Sequence, residues 1–168
     1  MALKICLILS LFIYSSFSLF LPAIYQQCDP RWKDVTLGFG SETICDSGSL
    51  LTSASSIADG LHFNGDLNNP LRLNAWLKAN GGFDKDNKFV WESLSPLGLK
   101  FEGFLTKVNE IIDAFIDEKV LILQVKGTNH YVVPEAIVSG GFVMMDPQSI
   151  GDIFYKPSDI IGAGVYKY

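Results

Sequence analysis

Three polar side chains in this sequence are of the types that make an acyl-transfer site. Ser49 follows Gly48 where the apolar spacing of a helix begins, His130 opens a β-patterned segment, and Asp146 closes another. A hydroxyl attacks a carbonyl well only when something activates it. A helix N-terminus does so through free N–H groups and a dipole that favour a developing anion, and a neighbouring imidazole does so by taking the proton. Position gives Ser49 the first device. His130 can supply the second, with Asp146 fixing the ring's tautomer, in a nucleophile–base–orienter arrangement. Taken singly these residues are ordinary: a histidine at a strand start is commonly a surface group, and Asp146-Pro147 is a strand-ending turn. The combination points to chemistry.

The elements that must position them are legible in outline. A helix is predicted from Ser49 to Asp59, capped by Asp46 or Ser47 and ended by Gly60. Leu50, Leu51, Ala54, Ile57 and Ala58 fall on one face of it, so it should be largely buried. A second helix starts at Pro70, which suits a first-turn position, and stops at Gly81-Gly82. Trp91 to Leu97 reads as a short helical turn. A third helix spans Leu105 to Asp117, with Val108, Ile111, Ile112 and Phe115 on one stripe. Strands follow at Val120–Val125, His130–Pro134, Phe142–Asp146, Asp152–Tyr155 and Gly164–Tyr168. Helices first and an antiparallel sheet afterwards make an α+β fold.

The strand register decides whether His130 meets Asp146. Pairing centred on Val138, with a wide loop over 135–141, sets the two opposite each other with Cβ atoms about 5 Å apart. A tight turn at Gly140-Gly141 sets Asp146 opposite Glu135 and leaves His130 about 17 Å further along. On this reasoning the wide loop predicts a dyad and the tight turn predicts none.

The first 18 of the 168 residues read as a secretory signal peptide: a weakly basic start with Lys4, an apolar run from Ile5 to Tyr14, and small residues at Ser16 and Ser18. A retained anchor is the rival reading, because the uncharged stretch to Ile24 is about 20 residues long. Cleavage would leave residues 19–168 as one domain and would remove one cation from a chain whose net charge is −5. Such an acidic chain, without a basic stripe, is a poor partner for nucleic acid and, once the leader is gone, for an anionic membrane surface. Cys6 leaves with the leader. Cys28 and Cys45 then form an even pair, read as a disulfide closing a loop of about 16 residues and contributing about 3 kcal/mol. The alternative is a free nucleophilic Cys45. No zinc spacing and no phosphate-cradling glycine motif is present, so no metal or cofactor is expected. His62 reads as a solvated side chain, and Asp84-Lys85-Asp86-Asn87 as a turn.

Five segments in order resemble one family. They are Gln26-Gln27-Cys28-Asp29-Pro30-Arg31-Trp32, Cys45-x-x-Gly48-Ser49-Leu50-x-x-Ser53, the stretch Pro70-Leu71-x-Leu73-Asn74-Ala75-Trp76-Leu77 leading to Gly81-Gly82-Phe83, His130-Tyr131-Val132-Val133, and Met145-Asp146-Pro147. Together they are similar to the papain-fold cysteine peptidases related to the bacteriocin-processing, double-glycine-leader enzymes, over residues 25–168. The resemblance implies a papain-like fold, with a central helix packed on a C-terminal antiparallel sheet. It also implies peptide-bond cleavage, with His130 as base, Asp146 as orienter and Gln27 (or its neighbour Gln26) donating an N–H to the oxyanion.

At the nucleophile the sequence departs from the family, which has Gly-Cys where this chain has Gly48-Ser49. A cysteine pKa near about 8.5 can be brought well below neutrality beside a helix end and an imidazolium. A serine hydroxyl is far less acidic, so no preformed ion pair exists, and its proton must leave during attack. The expectation is therefore a secreted pseudopeptidase that binds a peptide or protein ligand in its cleft. An active hydrolase using Ser49, His130 and Asp146 is the first alternative. A structural or storage protein is the second.

Overall fold

Val120–Val125 is apolar at every position except Gln124, and a strand of that composition needs cover on both faces. In the computed structural model, which describes residues 24–62, 67–127, 129–149 and 152–168, it has that cover. The leader assigned to residues 1–18 lies outside the described residues.

Six strands, β1 (Lys100–Leu105), β2 (Val120–Val125), β3 (His130–Val138), β4 (Gly141–Met145), β5 (Asp152–Tyr155) and β6 (Ile160–Lys167), form one antiparallel sheet. Their order is β1-β6-β2-β3-β4-β5, so β1 and β5 are the edges. The helices are α1 (Ile44–Ser47), α2 (Ser49–Gly60), α3 (Pro70–Ala79) and α4 (Val108–Ile116), with a 3-10 segment at Trp91–Leu97. On one face of the sheet, Ile122, Val133, Met145 and Tyr166 pack with Leu51, Ala54 and Ile57 of α2 and with Leu73 and Leu77 of α3. On the other face, Leu121, Leu123, Val125, Val132 and Phe142 pack with Ile111 of α4. Each fully buried side chain of this size contributes about 1.5–3 kcal/mol. The α+β class expected from the sequence is the one observed.

Burial of α2 needs an explanation, because Thr52, Ser53, Ser55 and Ser56 are inside with its apolar residues. Three of those hydroxyls fold back on their own helix. Thr52 donates to the Gly48 carbonyl (2.9 Å), Ser55 to Leu51 (2.8 Å) and Ser56 to Thr52 (3.2 Å). A helix rich in serine can then lie in a core without stranding donors.

Several boundaries differ from expectation, each for a local reason. Asp46 does not cap α2. It closes a capping box with Thr43 and nucleates the separate turn α1, which leaves Gly48 as the α2 N-cap with no side-chain bond. Strand β1 was not anticipated, although Lys100 to Leu105 alternates exposed and half-buried positions, because Gly103 interrupts the signal. The helix α4 therefore starts at Val108 rather than Leu105, and β6 starts at Ile160 rather than Gly164.

The β3–β4 hairpin corrects both registers considered above. Val138 pairs with Gly141, leaving Ser139-Gly140 as a two-residue turn with Gly140 at φ 91°. A bulge between Pro134 and Ala136 then slips the ladder by one residue, so Val133 pairs with Met145. Continued one step, that register sets Asp146 opposite Val132, on the same face as His130 two residues away. The turn is tight, yet the two side chains meet, because a diagonal neighbour lies within reach of long side chains.

Candidate active site

The site sits where the β3–β4 ladder ends and α2 begins. Ser49, His130, Asp146 and Gln27 are all drawn into this region, and all are buried, at 3%, 9%, 5% and 1% exposure.

The imidazole and carboxylate form a direct pair. His130 Nε2 lies 2.8 Å from Asp146 Oδ1. An ionised carboxylate can only accept, so the proton of this bond is on Nε2 and the lone pair of the neutral ring is on Nδ1. Nδ1 is buried and has no partner. Asp146 is held from two further sides, by the Tyr155 hydroxyl at 2.7 Å on Oδ2 and by the Gln148 backbone N–H at 2.8 Å on Oδ1. Burial pushes the Asp146 carboxyl up. The bonds from His130, Tyr155 and Gln148 outweigh it and hold the group below its ordinary value. Tyr155 shifts the opposite way: burial and the adjacent Asp146 carboxylate raise its phenol above the usual 10.0.

Ser49 is the first residue of α2, with no side chain capping the helix end. Its hydroxyl is turned to the strand backbone on either side of His130. Oγ donates to the Asn129 carbonyl (3.3 Å) and accepts the Tyr131 N–H (3.2 Å). Four residues on, Ser53 Oγ donates to the Tyr131 carbonyl at 3.1 Å. The reason lies in the sheet. The pairing of β3 with β4 runs out at Val133, so the Tyr131 peptide groups lie beyond the β4 ladder. Two serines spaced for one helix face take up both.

Gln27 is held by a different set of contacts. Its backbone N–H donates to the Pro147 carbonyl at 2.7 Å, and its side-chain Nε2 donates to the Cys45 carbonyl at 2.6 Å, while Oε1 is buried without a partner. Gln26 turns instead to the Ser149 carbonyl. Of the two glutamines, Gln27 is the buried one. The neighbouring Cys28 is bonded to Cys45, which fixes the Gln27 segment against α1 and removes the free-thiol reading of Cys45. The disulfide belongs to an oxidising environment.

Sequence reasoning missed Tyr155 and Asn129, and it placed Ser53 in a segment without giving it a role. Tyr155 carries no local mark of its role, since β5 is a short edge strand. Ser53 did carry one: it stands four residues after Ser49 and so shares its face of α2. Away from the site, His62 is exposed, and the 84–87 segment is a turn in which Asp84 accepts the N–H groups of Asp86 and Lys88. Among the described residues, no cluster of three or more metal-ligating side chains forms, and no helix is long and apolar enough to cross a membrane. Compared with protein-family models, curated proteins and solved structures, the chain matches none.

Proposed function

We propose that this chain is a secreted, papain-like peptidase homologue in which a structural hydroxyl occupies the nucleophile's place, and that it acts by binding a peptide or protein. The observation that carries the reading is the Ser49 hydroxyl. Among the described residues its two hydrogen bonds run to the backbone on either side of His130, and none to the imidazole between them. A nucleophile in waiting would share its proton with the base. The fold supports the family reading by putting a buried helix start, a His130–Asp146 pair and an inward Gln27 together in the order the resemblance implies. The Cys28–Cys45 bond supports an extracytoplasmic location. An extended ligand would bind through backbone pairing and side-chain pockets.

One observation favours an active hydrolase instead. His130 Nδ1 has no partner among the described residues, the open position a general base needs. Labelling with a fluorophosphonate separates the two readings. Binding without catalysis predicts that neither the wild type nor Ser49→Ala is labelled and that no member of a peptide library is cut. Labelling that disappears in both Ser49→Ala and His130→Ala would establish the hydrolase. Ser49→Cys should gain rapid alkylation by iodoacetamide at neutral pH if Nδ1 faces position 49; an inert thiol would mean that the cleft keeps only its architecture.

A further inference from the structure

The edge strand β1 borders a groove of about 460 Å3 on the α4 side of the sheet. We propose that this groove docks an extended basic peptide segment, which adds to the sheet as a strand alongside Gly103–Leu105. The proposal does not rest on the reading of the Ser49 site, with which the groove shares no residue.

Three features of the groove specify the occupant. The first is the edge itself: among the described residues, β1 pairs with β6 on one side and with no strand on the other, so its outward peptide groups can receive a strand. The second is an apolar floor. Leu105 and Val165 line it, and the aliphatic stems of lysine or arginine can rest there. The third is charge. Glu102, Glu110, Asp113 and Asp117 all line the groove, with Lys119 as the cation among them. Lys119 is already bonded to Glu102 at 2.7 Å, and Glu110 is bonded to Lys107. Asp113 and Asp117 are exposed and form no ion pair among the described residues. One helical turn apart on α4, they present a negative wall to whatever lies along β1.

The same charges argue against a second copy of this chain. The protein has a net charge of −5, and edge-to-edge pairing through β1 would bring two such walls together. The bulge between Phe101 and Gly103 and the Glu102–Lys119 pair further limit the usable edge to its last residues, as edge strands that avoid self-pairing do.

The test uses the full secreted chain and a fluorescein-labelled octapeptide of alternating lysine and valine, with the glutamate–valine peptide and spermine as comparators. Fluorescence anisotropy should show binding of the lysine peptide that weakens steeply between about 20 mM and about 150 mM salt, as screening predicts. Asp113→Asn/Asp117→Asn should weaken it about tenfold, the combined effect of two exposed charge pairs. Asp34→Asn/Asp86→Asn removes the same charge outside the groove and should leave binding unchanged. Backbone amide shifts should centre on Gly103, Phe104 and Leu105. The proposal is overturned by equal losses in the two double variants, by amide shifts elsewhere, or by absence of binding at low salt. It is equally overturned if spermine binds as tightly as the peptide, which would mean that the carboxylates attract cations without reading a strand. Wild-type self-association that Phe104→Pro abolishes would assign the edge to a second copy instead.

Discussion

Replacing Ser49 with alanine discriminates a clasp from a nucleophile. The hydroxyl accepts the Tyr131 N–H and donates to the Asn129 carbonyl in surroundings where Ser49 is 3% exposed. Deleting it strands a donor with no ladder partner, at a cost of about 1–3 kcal/mol. Alanine returns about 0.5 kcal/mol through its better helix propensity, so the net loss should be about 0.5–2.5 kcal/mol. For a chain of this size that lowers Tm by about 1–10 °C. Ser53→Ala is the internal control. It removes a donor from the Tyr131 carbonyl, a group that tolerates under-satisfaction better than an N–H does. The helix-propensity gain then nearly cancels the loss, leaving Ser53→Ala within about 0.5 kcal/mol of wild type. Urea unfolding monitored by tryptophan fluorescence measures both, provided the slope with denaturant stays constant. A catalytic serine held ready for attack behaves oppositely, since removing it leaves stability unchanged or raises it. Ser49→Ala as stable as wild type would refute the clasp.

Two other perturbations test the surroundings. The Asp146 carboxyl is depressed below its ordinary 3.8, so its stabilising contribution is present above that pH and is lost as pH falls through the lower folded value. Asp146→Asn should therefore be less stable than wild type at neutral pH, with the gap closing in acid. Tyr155→Phe, which removes one donor to Oδ2, should make the acid loss smaller and complete it at a higher pH; parallel pH–stability curves for the two proteins would count against the network. At Gly164, a Cβ would enter the space of the Trp91 ring, which also contacts Phe101, Tyr131 and Tyr166. Gly164→Ala should cost about 1–3 kcal/mol by overpacking, and an unchanged urea midpoint would show that Trp91 is free to move.

What the sequence made legible was whatever its periodicity controls. The apolar stripe of Ser49–Gly60, the proline that starts α3 and the unbroken run of β2 each announce one element, and each lies where local pattern places it. The hairpin was not legible, because its register depends on a bulge at Pro134–Ala136 that no turn residue advertises. Both registers weighed from the sequence assumed an unbroken ladder, and the single slipped residue brings Asp146 to His130 across a tight turn. Asp46 was misassigned for a related reason. A carboxylate three residues after a threonine serves a capping box equally well in a one-turn helix or at the start of a long one. Tyr155 was invisible because its bond to Asp146 joins β5 to the end of β4 through a long side chain that alternation does not report.

The polar cluster at the ladder end has a structural logic that needs no reaction. Where β4 stops pairing with β3, the Asp146 carboxylate gathers the ring of His130, the phenol of Tyr155 and the Gln148 N–H. It ties the loose ends of three strands, while Ser49 and Ser53 tie Tyr131 to α2. Fastening alone accounts for each of these bonds. It does not account for two buried atoms, His130 Nδ1 and Gln27 Oε1, which have no partner among the described residues. A purely structural cluster gains from replacing such groups with apolar ones of similar shape. Both atoms stand near a helix start that no side chain caps. The hydroxyl of Ser49 has meanwhile gone over to the backbone. The proposed peptidase frame without a working nucleophile accommodates both the unpartnered atoms and the two backbone bonds of Ser49.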